Sequence, residues 1–332
     1  MAGNSNYQGL NTHTLEELWT SAKTQWLEDY PITKLIKSKG GVKSLPGGTK
    51  FIVPLVHGNN TSFQFTSSIG EVNLAEQNVA DVAEFDWRRI SIGFLVKKWD
   101  LVMNRGDRAQ IVDLLKTLRM QMLNTFAENV ENYLIKAQTT DPITEEATFN
   151  GLLDILSTTN TYGGIDKSTD TWWQPQVEFG GGGTSASDGI DDVGLVDWYQ
   201  LLRKVGGDSG VDKPSVILCD DYIWDYLAEN KVFAQYDYNQ NPNTPTLGVP
   251  SLNFLGIPII ATSNSNWTDY TVAFLNMNYI QLVEPSGFSS LDVEVHDQVL
   301  GKYAKAVQAF WSANLACNNC SRQGLITYKA ND

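Results

Sequence analysis

The chain has 332 residues, 42% hydrophobic and 19% charged, enough to bury a sizeable core in one or two domains and too apolar for a disordered tail. Lysine and arginine number 24 against 38 aspartates and glutamates, a net charge of −14 that argues against a nucleic-acid binder relying on overall positive charge. Cys219, Cys317 and Cys320 cannot build a disulfide framework, no apolar run is long enough to span a bilayer, and residues 1–14 lack a signal peptide's basic and apolar segments. The expectation is a soluble intracellular product with reduced thiols and no membrane contact.

In chain order, a first helix is signalled by Thr12 or Thr14 as N-cap, Glu16 and Glu17 in the first turn, and Leu15, Leu18, Trp19, Ala22 and Trp26 at helical spacing. It ends near Tyr30-Pro31. Residues 32–50, broken by Gly40-Gly41 and Pro46-Gly47-Gly48, read as an extended arm rather than a packed element. Lys34, Lys37, Lys39, Lys43 and Lys50 lie here, with no acid between Asp29 and Glu71. Lys50–Val56 and residues 89–97 (RISIGFLVK) then read as the two strands of a ribbon. The mostly polar stretch between them carries Phe63, Phe65, Ile69, Val72, Leu74, Val79 and Phe85. A lone two-stranded ribbon is marginal in water, so these apolar residues call for a surface elsewhere, on another subunit.

Asp107 as N-cap and Gln110 at the capping-box position open a long helix. Ile111, Leu114, Leu115, Leu118, Met122, Phe126, Val130, Tyr133 and Leu134 carry it to about Ala137, roughly 45 Å at 1.5 Å per residue. Its other face, with Arg108, Lys116, Arg119, Glu128 and Glu131, is expected to be solvated or covered by the ribbon. After Asn150 the elements shorten: helices at 195–205 and 222–233, strands at 215–219 and 257–261, and a glycine-rich surface loop at 179–187. Strands at 271–275, 280–284, 291–296 and 305–316 follow and are expected beside the long helix. The fold class is α+β. Acidity is concentrated in this part: residues 141–300 hold 5 basic and 23 acidic side chains, a net of −18, against +4 for the remainder.

Catalytic signals are weak. Gly207-Asp208-Ser209-Gly210 resembles the nucleophile loop of chymotrypsin-like proteases, but Val211-Asp212 departs from that pattern and His57 lacks its context. A solvated turn is the plainer reading. Cys317 and Cys320 make a single CxxC, and zinc would need two more ligands where the only histidines are His13, His57 and His296. Asp191-Asp192 and Asp220-Asp221 are expected to flank helix starts and stay solvated. The glycines 180–183 lack the Lys-Ser/Thr of a phosphate loop. No catalytic residue, cofactor or metal site is expected. Lys34, Lys37, Lys39 and Lys43 either touch phosphates or simply solvate the arm. Ten tryptophans and 11% aromatics exceed what one core needs and point to interfaces.

The order of elements is joined by local phrases: Gly151-Leu152-Leu153, residues 157–166 (STTNTYGGID), Trp172-Trp173, residues 247–258 (LGVPSLNFLGIP), Phe274-Leu275-Asn276 with Tyr279, and Asn314-Leu315 through Cys317-Asn318-Asn319 to Arg322-Gln323-Gly324. Together they resemble the major capsid protein of tailed bacteriophages, with the Hong Kong 97 fold. That resemblance implies an N-terminal arm at 1–48, an E-loop hairpin at 49–98, and a P-domain at 99–150 with its spine helix at 107–137. It implies an A-domain at 151–264 and returning strands at 265–332. It further implies a structural protein rather than an enzyme. Subunits would assemble in the host bacterial cytoplasm as hexamers and pentamers of an icosahedral virion shell.

By the same resemblance, the shell would enclose double-stranded DNA through weak nonspecific contact, with a portal and a separate scaffolding protein; a decoration protein is left open. Lys34, Lys37, Lys39 and Lys43 would face DNA, and Phe63, Phe65, Ile69, Val72, Leu74 and Phe85 would make E-loop contacts between subunits. The lysine–asparagine cross-link of some family members is not expected, because residues 51–96 contain no lysine. With the arm under way by Ile32, the subunit is expected to remain uncut. The alternatives are an encapsulin-type compartment and, further off, a serine hydrolase using Ser209.

Overall fold

The computed structural model describes residues 31–39, 41–58, 62–66, 70, 79–99, 108–181, 195–206, 212–229, 252–262, 264–286, 292–296 and 301–329; the side chains of 108–117 are outside this description. The helix expected at 14–30 and the loop from 182 onward therefore lie outside the described residues. In chain order the elements are α1 (Pro31–Ser38), β1 (Val42–Leu45), β2 (Lys50–Val56), β3 (Ala80–Asp86), β4 (Arg88–Lys97), α2 (Arg108–Ile135), α3 (Leu152–Leu156), β5 (Thr161–Tyr162), β6 (Ile165–Asp166) and β7 (Gln176–Phe179). They continue with α4 (Leu195–Gly206), β8 (Val216–Asp220), α5 (Asp221–Glu229), β9 (Leu252–Phe254), β10 (Ile257–Thr262), β11 (Thr271–Leu275), β12 (Ile280–Pro285), β13 (Asp292–His296), β14 (Ala304–Cys317) and β15 (Gly324–Thr327).

Two sheets organise the chain. The six-stranded sheet runs β7-β15-β11-β8-β10-β9. Strand alternation divides its side chains between two cores: from β8, Val216 and Leu218 enter the larger one, while Ile217 and Cys219 face Trp198, Leu201 and Val205 of α4 and Ile223 of α5. The five-stranded sheet is centred on β14, whose later residues pair with β12 and whose earlier residues pair with β13 and β4. Against it lies α2, 28 residues long, burying Met122, Phe126, Val130 and Leu134 at helical spacing. The Phe126 ring meets Trp311 of β14 edge-on at 5.8 Å, and Phe149 meets the same indole at 5.7 Å. Of the late strands, β12, β13 and β14 belong to the sheet beside the long helix, as the sequence suggests, whereas β11 lies in the six-stranded sheet between β15 and β8.

Four expectations need correcting. Residues 32–50 are not an extended arm: Pro31–Ser38 is helical, with Ile32, Leu35 and Ile36 buried, and β1 adds in parallel to β12. The second ribbon strand is not 89–97 but β3, which pairs with β2 from Lys50↔Asp86 to Val56↔Ala80. Strand β4 pairs instead with β14, from Ala304↔Lys97 to Ala313↔Arg88, because its apolar residues find a full-length partner in the sheet. On α2, Arg119 and Glu131 are buried rather than solvated, since α1 covers the helix at Glu131. Asp220 is buried as well, accepting from the Asp221 and Tyr270 amides at the start of α5.

Candidate assembly surfaces

The β2–β3 hairpin has two apolar faces. Alternation turns Phe51, Leu55, Ala83 and Phe85 inward, where all are buried. The inward face rests on residues 161–173 of the same chain. Phe51 stacks on Phe85 at 5.3 Å, and Phe85 meets Tyr162 edge-on at 5.1 Å. Gly163, at φ +63°, permits this contact by its lack of a side chain: a Cβ there would lie 2.8 Å from that of Ala83. Its carbonyl accepts the Glu84 amide at 2.9 Å. One residue past β2, the His57 ring stacks on Trp172 at 4.1 Å and 13°.

The opposite hairpin face has no such cover. Ile52, Val56 and Val82 are exposed, Val56 at 84%. Beyond it, Phe63 and Phe65 are 82% and 96% exposed, their rings 5.6 Å apart and edge-on. Of the residues expected to touch another subunit, these two stand free for contact. Phe85 does not: at 2% exposure it is locked beneath the hairpin by Phe51 and Tyr162, so that expectation is corrected. Ile69, Val72 and Leu74 lie outside the described residues.

The lysine segment is carried on a docked helix. The Glu131 carboxylate accepts from the Ile32 amide (2.8 Å), the Thr33 amide (3.1 Å) and the Thr33 hydroxyl (2.7 Å), capping α1 from a residue almost a hundred positions away. Burial pushes the Glu131 carboxyl above the usual carboxylate range, against the pull of the bonds from Thr33 and Ile32. Lys34 and Lys37 share the face away from the buried Ile32, Leu35 and Ile36. Lys37, Lys39 and Lys43 are exposed, and Lys34 is half-buried.

Buried polar side chains hold the body together, and one of them, Lys167, was not singled out from the sequence. The Lys167 ammonium, fully buried, donates to the carbonyls of Asp154 (2.7 Å), Ile155 (2.9 Å) and Ser157 (3.0 Å), closing the C-terminus of α3. Burial lowers its pKa, while the neighbouring Cys320, Cys317 and Asp154 oppose that shift. Asp154 in turn accepts from the Gln138 and Gly151 amides and from Asn160. At Gly151 a Cβ would lie 1.9 Å from the Lys136 carbonyl oxygen, so no side chain fits. Asn314 exchanges hydrogen bonds with Asn150 and donates to the Asp86 carbonyl, tying β14 to the hairpin's root. Asn276 and Gln323 bond reciprocally in the same way. One signal could have exposed Lys167: it is the lone basic residue between Lys136 and Arg203.

Chemistry is sparse among the described residues. Cys317 and Cys320 are buried free thiols at the end of β14, and burial raises the Cys320 pKa well above the usual thiol value. No grouping of three metal-binding side chains occurs among the described residues. Ser209 lies outside them, and His57 is engaged by Trp172. No described helix is long and apolar enough to cross a membrane.

Comparison with solved structures agrees with this architecture. A chain of the cyanophage A-1(L) capsid asymmetric unit superposes with a TM-score of 0.67 at 14% identity, covering 89% of this chain and 92% of that one. This is the phage capsid fold. The capsid of Myoviridae phage XM1 matches with a TM-score of 0.52 at 13% identity, covering 89% and 92%. The SrpI encapsulin of Synechococcus elongatus PCC 7942 matches at 0.51 and 12% identity, covering 88% of each chain. No protein-family model and no curated protein matches the sequence. A Hong Kong 97-like α+β fold therefore accounts for about 89% of the chain.

Proposed function

We propose that this protein is the major capsid subunit of a tailed bacteriophage, self-assembling as hexamers and pentamers of an icosahedral shell around double-stranded DNA. The observation that carries this is the hairpin's second apolar face. In a chain with a capsid fold, Ile52, Val56, Val82, Phe63 and Phe65 are presented to solvent on a hairpin whose inward face is already covered. Another copy of the subunit supplies the cover, and the contact repeats around every subunit, so modest pairwise attraction becomes a stable closed assembly. In this reading β2–β3 is the E-loop, α2 the spine of the P-domain, and the six-stranded sheet with α4 and α5 the A-domain. The role is structural, not catalytic.

The charge distribution fits a container. Lys34 and Lys37 on one face of α1, with the exposed Lys39 and Lys43 after it, suit weak, salt-sensitive phosphate contact, while the strongly acidic 141–300 region discourages tight binding. A portal and a separate scaffolding protein are further partners of such a shell in the virus, with assembly in the host cytoplasm. Electron microscopy of the purified protein tests the proposal: polyhedral shells are expected, and only small soluble species at all concentrations would overturn it.

The encapsulin match supports a second reading, a compartment for protein cargo. Purified particles decide between them: packaged double-stranded DNA favours the capsid, and a co-purifying protein cargo without DNA favours the compartment.

A further inference from the structure

The hairpin is fastened to the body at two places by one run of aromatic rings. At its root, Phe51, Phe85, Tyr162 and Trp173 are all buried; Tyr162 and Trp173 lie 6.2 Å apart, and the Trp173 indole donates to the Tyr162 carbonyl at 3.2 Å. At its far end, His57 stacks on Trp172, which sits 5.6 Å from Trp173 and so rejoins the same run. The two fastenings differ in their access to water. The root is dry, whereas His57 and Trp172 are only half-buried. Segments with fewer buried contacts open locally at lower free energy than the core they adjoin.

We propose that the His57–Trp172 stack is a releasable clasp: the far half of the hairpin lifts from residues 161–173 and reseats, while the root stays shut. The two strands move together, because their pairing continues past Val56↔Ala80 to the bond from the His57 amide to the Val79 carbonyl at 2.8 Å. Leu55, buried beneath the far half, makes the seated form the resting one. Phe63 and Phe65, both exposed, follow His57 by six and eight residues, so the clasp lies close in sequence to the rings offered to a partner. The stack is a property of the single chain and does not depend on what the chain assembles into.

Amide hydrogen exchange on the dilute full-length chain tests this. Trp172→Ala is expected to speed exchange in peptides covering residues 52–58 and 79–83 roughly two- to tenfold, the range an aromatic pair supports, with residues 84–87 and 160–164 unchanged. His57→Ala, which removes a smaller and half-buried ring, gives the same pattern should Trp172→Ala fail to fold, and Trp172→Phe restores the slow rate. Unchanged exchange in the far half, or equal acceleration at the root, would overturn the proposal.

Discussion

The α1–β1 segment and the β2–β3 hairpin are neighbours in sequence, and both are mounted on the two-sheet body, but different forces hold them. The hairpin is held by rings packed in a dry core, with Phe85 and Tyr162 at its centre. The α1 helix is held by a polar clamp, three hydrogen bonds into the single carboxylate of Glu131, over a smaller apolar patch of Ile32, Leu35 and Ile36. Aromatic packing is additive in area and indifferent to pH, whereas a buried carboxylate that accepts three hydrogen bonds is sensitive to protonation and to the loss of a donor. The hairpin should therefore resist conditions that loosen the segment before it.

The largest expected effect is at the hairpin's root. Phe85→Ala removes a fully buried ring between Phe51 and Tyr162 and should cost about 3–5 kcal/mol, read as a lowered midpoint in urea unfolding. An effect below about 1 kcal/mol would mean the hairpin is not anchored there. Gly163→Ala comes next: its Cβ would crowd Ala83 at a left-handed φ of +63°, for a cost of about 1–3 kcal/mol by the same measurement.

At the other fastening, Glu131→Ala strands two buried backbone donors and the Thr33 hydroxyl, a loss of about 1–3 kcal/mol. It should appear as faster exchange at residues 32–37 while the hairpin's protection is kept. Acceleration in both places would erase the distinction between them. The pH dependence carries the same contrast more gently. The folded pKa values of Glu131 and Asp154 are raised by burial, so the folded chain binds their protons more tightly than the unfolded one. That stability is present below the unfolded carboxylate values, about 4, and is lost as pH rises through the raised folded values. Thermal midpoints should show this decline just above the ordinary carboxylate range, and Glu131→Gln should flatten its share of it. An unchanged slope would place the ionisation of Glu131 elsewhere.

Reading the sequence succeeded where the signal was local and failed where it was not. Long periodic runs revealed α2 and β14, and the phrases around Tyr162-Gly163-Gly164, Trp172-Trp173 and Asn314 proved to be the contacts that join hairpin, body and sheet. Strand β3 was missed because ADVAEFD carries three acids and reads as polar; only its inward Ala83 and Phe85 are buried. The β-branched run at 89–97 then took its place as the ribbon's second strand. Helix α1 was missed because eight residues among glycines and lysines have little helical tendency of their own, and its cap comes from Glu131. Lys167 was passed over because its three carbonyl partners are brought together only by the fold.

In the proposed capsid, the hairpin's open apolar face, with the rings beyond it, joins subunits into a shell. Phe63→Ser with Phe65→Ser tests it most directly, because both side chains are exposed and the folded chain should change by no more than about 0.5 kcal/mol. Sedimentation of wild type and double variant side by side, at equal concentration, is the measurement. Fast-sedimenting shells are expected for wild type, and folded, slow-sedimenting species for the variant. Shells of undiminished yield and size from the variant would contradict it.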